Sequence, residues 1–246
     1  VSTLLLRLEG PMQSWGTQSR FTMRDTGQEP SKSGVIGLLC AALGRPRTAA
    51  VADLATLRMG VRVDREGMMR VDYQTAGGEH RKGVSYGVAK ASGGTPDTVQ
   101  SNRYYLADAS FLVGLEGDDM LLREIDAALA EPVWQIFLGR KSYVPGTPVR
   151  LPDEPPLGPG LRDLSLIEAL RGYPWPTERD GSRDTVPERL RVLVDDEENA
   201  NAEVRRDVPI SFEHRQFGLR RVRTDWIHQT KEGGNDVPIT ADSQRV

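Results

Sequence analysis

Two linked segments constrain this chain more than any other stretch: Gly10-Pro-Met-Gln-Ser-Trp-Gly16 and Lys32-Ser-Gly-Val-Ile-Gly-Leu-Leu-Cys-Ala-Ala-Leu-Gly44. An apolar run, Thr3 to Leu8, precedes them, and its β-compatible residues predict a buried strand. A loop over residues 10–32 follows, rich in Gly, Pro, Ser and Thr, and loops of this length in compact domains commonly carry function. The loop closes on an apolar helix predicted from Gly34 to Leu43. Ser33 is its expected N-cap, Gly44 its stop, and Pro46 bars continuation. A strand end facing a helix N-terminus brings backbone N–H groups and a dipole to one place, where an anion is favoured. The two segments therefore form a candidate phosphate-binding entrance.

The rest of the chain alternates between strand and helix patterns. A second helix is predicted from Ala49 to Leu57. Met59 to Asp64 and Met69 to Thr75 alternate apolar and polar residues around Arg65-Glu-Gly67, the pattern of a hairpin. Residues 76–102 gather glycines with His80, Arg81, Lys82 and Lys90 and few core formers, which predicts a projecting arm. Tyr104 to Leu115 reads as a strand, Met120 to Leu129 as a helix and Val133 to Leu138 as a further strand. This order predicts an α+β fold of ferredoxin-like (RRM-like) type with an inserted arm. A proline-rich connection, Pro145 to Pro159, leads to a short helix, Leu164 to Leu170. Leu190 to Val194, Arg205 to Ile210 and Phe217 to Val222 are the expected strands of a smaller C-terminal part. Asp195 to Asn201 reads as an acidic turn, and the tail after Thr230 has few apolar anchors.

Composition narrows the chemistry. Over 246 residues the net charge is −3, so overall charge does not advertise nucleic acid. The charges segregate, however, with acids in Asp195-Asp-Glu-Glu198 and arginines in Arg205-Arg206, Arg215, Arg220, Arg221 and Arg223. One cysteine, Cys40, excludes an intrachain disulfide and a multi-cysteine zinc site, and fits a reducing, cytoplasmic setting. Leu4-Leu5-Leu6, broken by Glu9, is too short for a secretion signal, and no apolar run nears the roughly 20 residues of a membrane helix. His80, His214 and His228 have no metal-ligand spacing, so neither a metal nor a cofactor is expected. Lys32-Ser33-Gly34 lacks the glycine spacing of a phosphate loop. His214 with Tyr86, Tyr104 or Tyr143 is the remaining acid–base set for metal-free RNA cleavage.

The basic residues suggest a binding face. Arg20, Arg24 and Lys32 flank the opening loop, Arg103 precedes Tyr104-Tyr105, and Arg140-Lys141 follows a predicted strand. All fall at strand ends or in loops, where a phosphodiester backbone can be followed. Tyr104, Tyr143 and Trp15 are candidates for base stacking; for Trp15, a loop anchor packed on the helix is an equal alternative.

Several motifs in one order carry a resemblance. They are Leu6-Arg-Leu-Glu-Gly-Pro-Met-Gln-Ser-Trp-Gly16, Lys32 to Arg45, Val71-Asp-Tyr-Gln-Thr-Ala76, Tyr105 to Val113, and Leu138-Gly-Arg-Lys-Ser-Tyr-Val-Pro145. They resemble the CasD family, the RAMP-type subunit of the type I-E CRISPR Cascade complex. The resemblance implies a ferredoxin-like palm over residues 1–75 and 103–150, a thumb over 76–102, and a β-rich extension over 151–246. It implies a non-catalytic subunit that grips the 5′ handle of the crRNA. Such a subunit caps the Cascade backbone subunits, touches the Cascade large subunit and so meets target DNA indirectly, with no membrane partner. Relatives in another subtype cleave repeat RNA, and an endoribonuclease is the alternative. The implied RNA contacts are Gln13, Ser14 and Trp15 with Lys32, Ser33 and Gly34, then Arg140 and Lys141. His80, Arg81 and Lys82 join them by position in the arm, and Arg20, Arg24 and Arg103 from the basic inventory.

Overall fold

Leu4, Leu6 and Leu8 join one apolar cluster and Leu5 the other, as a strand's two-residue period requires of a strand buried on both faces. That strand is β1, Ser2–Glu9. The computed structural model describes residues 1–17, 22–77, 87–88, 97–154, 158–176, 178–179, 182–183 and 187–228. The remaining elements in chain order are β2 (Met12–Gln13), β3 (Met23–Arg24), α1 (Lys32–Leu43), α2 (Ala52–Ala55), β4 (Arg58–Arg65) and β5 (Met68–Ala76). Then come β6 (Val99–Ala107), β7 (Ser110–Gly117), α3 (Asp119–Ala130), β8 (Leu161–Arg162) and α4 (Leu166–Gly172). The chain closes with β9 (Glu178–Arg179), β10 (Ser182–Arg183), β11 (Arg189–Asp195), β12 (Glu203–Ser211) and β13 (Gln216–His228). The fold is mixed α+β, rich in sheet.

A seven-stranded sheet runs β12-β13-β11-β4-β7-β1-β8, each neighbouring pair antiparallel. β1, α1 and β4 form a split unit, with β7 inserted between the two strands. α1 and α3 cover one face through Val35, Ile36, Leu39, Leu122 and Ile125. α4 covers the other through Leu166, Ala169 and Leu170, against Leu5, Leu112, Val192 and Val194. Each such side chain contributes roughly 1.5–3 kcal/mol on full burial, so the sheet's two faces hold most of the stability. A second sheet is built on β6, which pairs β5 along one edge and β2 and β3 along the other. Among the described residues, β9 and β10 pair with each other alone.

Several expectations are corrected. Met59–Asp64 and Met69–Thr75 do not form a hairpin: β4 pairs β7 and β11, while β5 leaves the turn to pair β6 in the other sheet. The single strand predicted over Tyr104–Leu115 is two, parted at Asp108, whose φ of 67° breaks the extended run. Val133–Leu138 is not a strand. Its first N–H groups, from Val133 and Trp134, donate to the carbonyls of Ala42 and Ala41 (3.0 Å each) at the end of α1, where Ala41 also accepts from the Gly44 N–H at 3.4 Å. The sheet edge expected of it is supplied by β8. The helix predicted over Ala49–Leu57 shrinks to the single turn α2. The C-terminal strands continue the main sheet through β11 beside β4. α1 starts two residues earlier than predicted and is capped by Ser31, not Ser33: the Ser31 hydroxyl accepts from the Gly34 N–H at 3.2 Å. Most of the arm and the whole tail after Thr230 lie outside the described residues.

A buried guanidinium that the sequence pattern does not single out organises the α4 face. Arg62, fully buried, forks onto Asp64 (Nε–Oδ1 2.6 Å) and also donates to the carbonyls of Leu170, Tyr173 and Pro174. It pairs its charge and closes the end of α4 in one arrangement.

Candidate nucleic-acid interface

The opening loop is fixed from within. Gln13 is fully buried; its amide donates to the carbonyls of Leu8 (3.1 Å) and Ala109 (2.8 Å) and accepts from Trp15 Nε1 (3.1 Å). Trp15 is 1% exposed and lies against α1. A Cβ on Gly34 would stand 2.8 Å from the indole, so glycine is what permits this approach. Of the two roles open for Trp15, the structure takes the loop anchor. Gln13 and Trp15 thus form the backing of the loop.

The N-terminus of α1 already holds an anion. The Lys32 N–H donates to Asp207 Oδ2 at 2.8 Å, and the Lys32 ammonium pairs with Asp195 at 3.0 Å, both buried. Arg220 completes the group, donating to both oxygens of Asp207 and to Asp195. Burial opposes the charge of Asp207, yet Arg220, the Lys32 N–H and Arg205 outweigh it and hold this carboxyl below its usual range. The helix dipole, expected to receive a phosphate, therefore receives a side chain of β12. The cavity beside it, about 550 Å³, is lined by Glu29, Glu203 and Asp207 as well as Arg191, Arg205 and Arg206. Its three carboxylates and three guanidinium groups balance, and Arg191 and Arg205 are already paired with Glu29 and Glu203. Ser33 is half-buried at this helix start, its hydroxyl 3.5 Å from that of Ser31.

The cations that the structure does gather lie on the β3–β6 side. Arg24 and Arg103 are register partners in the parallel β3–β6 pairing. Arg140 reaches across to the same place, donating to the carbonyls of Arg24 (3.0 Å) and Asp25 (3.4 Å) and to the Tyr143 hydroxyl (2.9 Å). Its guanidinium also lies 5.5 Å from the centre of the Tyr143 ring, and Tyr143 is buried, packed on Tyr105. Ser14 closes the group from below: its N–H donates to Leu138 (3.0 Å), and its hydroxyl lies 3.4 Å from the carbonyls of Asp25 and Tyr104. The turn between Leu138 and Arg140 depends on Gly139, at φ 95°, where a Cβ would collide with the Ser14 carbonyl. Lys141 is exposed beside Arg140.

Among the described residues, no carboxylate stands within ion-pair distance of Arg24, Arg103, Arg140 or Lys141. Arg58, Arg65, Arg123, Arg150, Arg191 and Arg205 are paired; other described arginines, Arg70 and Arg206 among them, are likewise in no ion pair, so what sets Arg24, Arg103 and Arg140 apart is that the fold brings them to one place. The sequence pattern placed Ser14, Arg24, Arg103, Arg140 and Lys141 in separate segments, and the fold brings them together. Arg20, His80, Arg81 and Lys82 lie outside the described residues. His214 sits exposed in the β12–β13 turn, its Nε2 3.8 Å from Glu213, with no hydrogen bond to Tyr104 or Tyr143. No group of three His, Cys, Asp or Glu able to hold a metal occurs among the described residues, and no described helix is long and apolar enough to cross a membrane.

Sequence reasoning missed Asp207. The available signal was parity: Arg220 shares its inward face with Val222, two residues on, so a charge there demanded a buried partner.

The α+β fold, rich in sheet, is that of known CRISPR-associated proteins. The family model of the CRISPR-associated protein (Cas_Cas5) matches residues 3–223, and the chain belongs to this family. The CRISPR system Cascade subunit CasD of Escherichia coli (strain K12) is 35% identical over 157 residues, 57% of this chain and 66% of that protein. A crystal structure of a Cas protein is 43% identical with a TM-score of 0.71, covering 92% of this chain and 95% of its own. A chain of a CRISPR RNA-guided surveillance complex is 35% identical with a TM-score of 0.74, covering 92% of this chain and 90% of its own.

Proposed function

We propose that this chain is a Cascade subunit that holds the 5′ handle of a crRNA without cutting it. In this reading it also caps the backbone subunits and meets the large subunit, and so reaches target DNA indirectly. The observation that carries the reading is the cluster of Arg24, Arg103 and Lys141, braced by Arg140 and held in no ion pair among the described residues, with Asp72 the one carboxylate residue set opposite Arg103 in the sheet. Phosphodiester binding draws on such cations, and the family membership supplies the ligand. The strand order β8-β1-β7-β4, with α1 and α3 on one face, supports a ferredoxin-like palm. In this reading residues 76–102, which link β5 to β6 in the chain, are the thumb.

In this reading Arg24, Arg103 and Lys141 touch phosphates, with Arg20, His80, Arg81 and Lys82 extending the track. Ser14 and Arg140 shape it. Gln13, Trp15, Lys32, Ser33 and Gly34 act beneath it, fixing the loop and the start of α1. The test is binding of a labelled handle oligonucleotide, in EDTA, by the wild type and by Arg24→Ala/Arg103→Ala. Intact RNA, bound more weakly by the double variant, is the expected result. Unchanged affinity overturns the site, and site-specific cleavage lost in His214→Ala establishes the nuclease instead.

A further inference from the structure

The second sheet sets one carboxylate where a phosphate-binding surface has no use for it. Residues opposite each other in an antiparallel pair share a face. In the pairing of β5 with β6, Arg70 stands opposite Tyr105, Asp72 opposite Arg103 and Gln74 opposite Ser101. Arg24 of β3 stands beside Arg103 on the other edge of β6. Tyr105 packs on Tyr143, whose hydroxyl accepts from Arg140, so this face is the one that carries the cation cluster. Asp72 thus lies among three arginines, and its charge opposes a polyanion drawn to them.

Asp72 is not spent on those arginines. Arg70 Nη2 turns to Met68 Sδ (3.7 Å), and Arg103 Nε donates to the Ser101 hydroxyl (3.1 Å). Asp72 Oδ2 accepts instead from the Gln74 amide. A carboxylate only accepts, so the amide must turn an N–H toward it. Asp72 and Gln74 are half-buried, whereas Val71, Tyr73 and Thr75, on the opposite face of β5, are exposed. The pair leaves an ordered set of groups open. They are Asp72 Oδ1, which takes no hydrogen bond among the described residues, a remaining lone pair on Oδ2, and the second N–H of Gln74.

That set runs acceptor, acceptor, donor. Sequence-specific proteins read single-stranded RNA on the Watson–Crick edges of splayed bases. Guanine presents N2–H, N1–H and O6 there: donor, donor, acceptor, the complement of the pair. Adenine and cytosine offer an amino donor next to a ring acceptor, and uracil one imide donor between two carbonyls. Each of these sets a lone pair against a carboxylate oxygen. We infer that Asp72, oriented by Gln74, reads a guanine of the bound strand, while Arg24, Arg70 and Arg103 hold the phosphates around it. The inference rests on the reading above in taking RNA to lie across this cluster, and it gives Asp72 a purpose that phosphate binding alone does not.

The probes are four fluorescein-labelled RNA heptamers, UUUNUUU with guanine, adenine, cytosine or uracil at N, titrated with the full chain by fluorescence anisotropy. The wild type is expected to bind the guanine heptamer at least tenfold tighter than the other three, as one bidentate base contact can supply. Asp72→Asn keeps the side chain's shape and removes one acceptor, and should bring the four affinities within threefold of one another. Arg70→Gln should weaken all four alike and leave the guanine preference intact. The preference is a ratio taken on one protein, so partial unfolding of a variant does not move it. Equal binding of the four by the wild type, preference for another base, or a guanine preference kept in Asp72→Asn overturns the inference and leaves the RNA reading standing. Binding of none of the four by the wild type overturns both.

Discussion

The backbone N–H of Lys32 and the carboxylate of Asp207, 175 residues apart in sequence, meet at 2.8 Å at the start of α1. With Lys32–Asp195 and Arg220 this forms a closed, buried group joining the first helix to the C-terminal strands. Removing one member leaves a buried charge without its partner, at a cost of roughly 3–5 kcal/mol. Asp207→Ala is therefore expected to unfold at a much lower urea concentration with an unchanged denaturant slope. Lys32→Met should lose stability while its folded fraction keeps handle affinity within about threefold. A Lys32→Met protein as stable as wild type but unable to bind RNA would reverse this assignment.

Acid should act through the same group. Asp207 is held below its usual range in the folded protein, and the unfolded carboxyl titrates near about 3.9. As pH falls below about 4, the unfolded chain takes up the proton first. The stabilisation, complete above that pH, is then lost as pH drops through the folded value. Urea midpoints between pH 7 and pH 3 should show this fall, and Asp207→Asn should flatten it.

Arg24 and Arg103, opposite each other in β3 and β6, should contribute to binding by charge alone. For single-stranded RNA, removing one cation that meets a phosphate should lower the slope of log affinity against log salt by roughly 0.7. The double alanine variant is expected to bind more weakly and with a shallower slope. A full slope with weakened binding would mean that these arginines shape the site without meeting phosphate.

Gly139 should tolerate no side chain. Its φ of 95° and the Ser14 carbonyl both oppose a Cβ, and strain of this kind costs on the order of 1–3 kcal/mol before the collision is counted. Gly139→Ala is expected to lower the melting temperature and weaken RNA binding together, because it displaces Ser14 and Arg140 at once.

Arg140 spends its donors on Tyr143 and on the carbonyls of Arg24 and Asp25. Lysine keeps the charge and loses the fork. Arg140→Lys should speed amide exchange across residues 22–27 with little change in global stability. Unaltered exchange would show that the segment is held by its pairing to β6 alone.

The sequence made local elements legible wherever apolar periodicity was strong: β1, β4, α3 and β11 lie within a residue or two of their predicted places. It did not reveal which sheet a strand joins. Met68–Ala76 and Arg58–Arg65 carry the alternation of a hairpin, and nothing in that pattern tells that the turn between them leads out of one sheet into another. The candidate site divided in the same way. Arg24, Arg103, Arg140 and Lys141 were found as cations in loops and at strand ends, where exposure is the rule. Lys32 reads as a loop cation because its partner, Asp195, sits in a run of acids that reads as a solvated turn, although its position closing β11 turns it inward.

The turn at Gly67 and the break at Asp108 lie side by side: a Cβ on Gly67 would stand 2.8 Å from the Ala107 carbonyl, and Arg65 Nε donates to the Asp108 carbonyl at 2.6 Å. The chain thus leaves the seven-stranded sheet after β4 and re-enters it before β7 through one doorway. What lies between is the second sheet, whose strand β6 is held along its other edge by β2 and β3 of the opening loop, so the same excursion that leaves the main sheet also fixes the loop. The opening loop and the strands on either side of this doorway therefore rise or fall together: displacing β6 would release β2 and β3 at the same time, while the pairing of β4 with β7 stays in place.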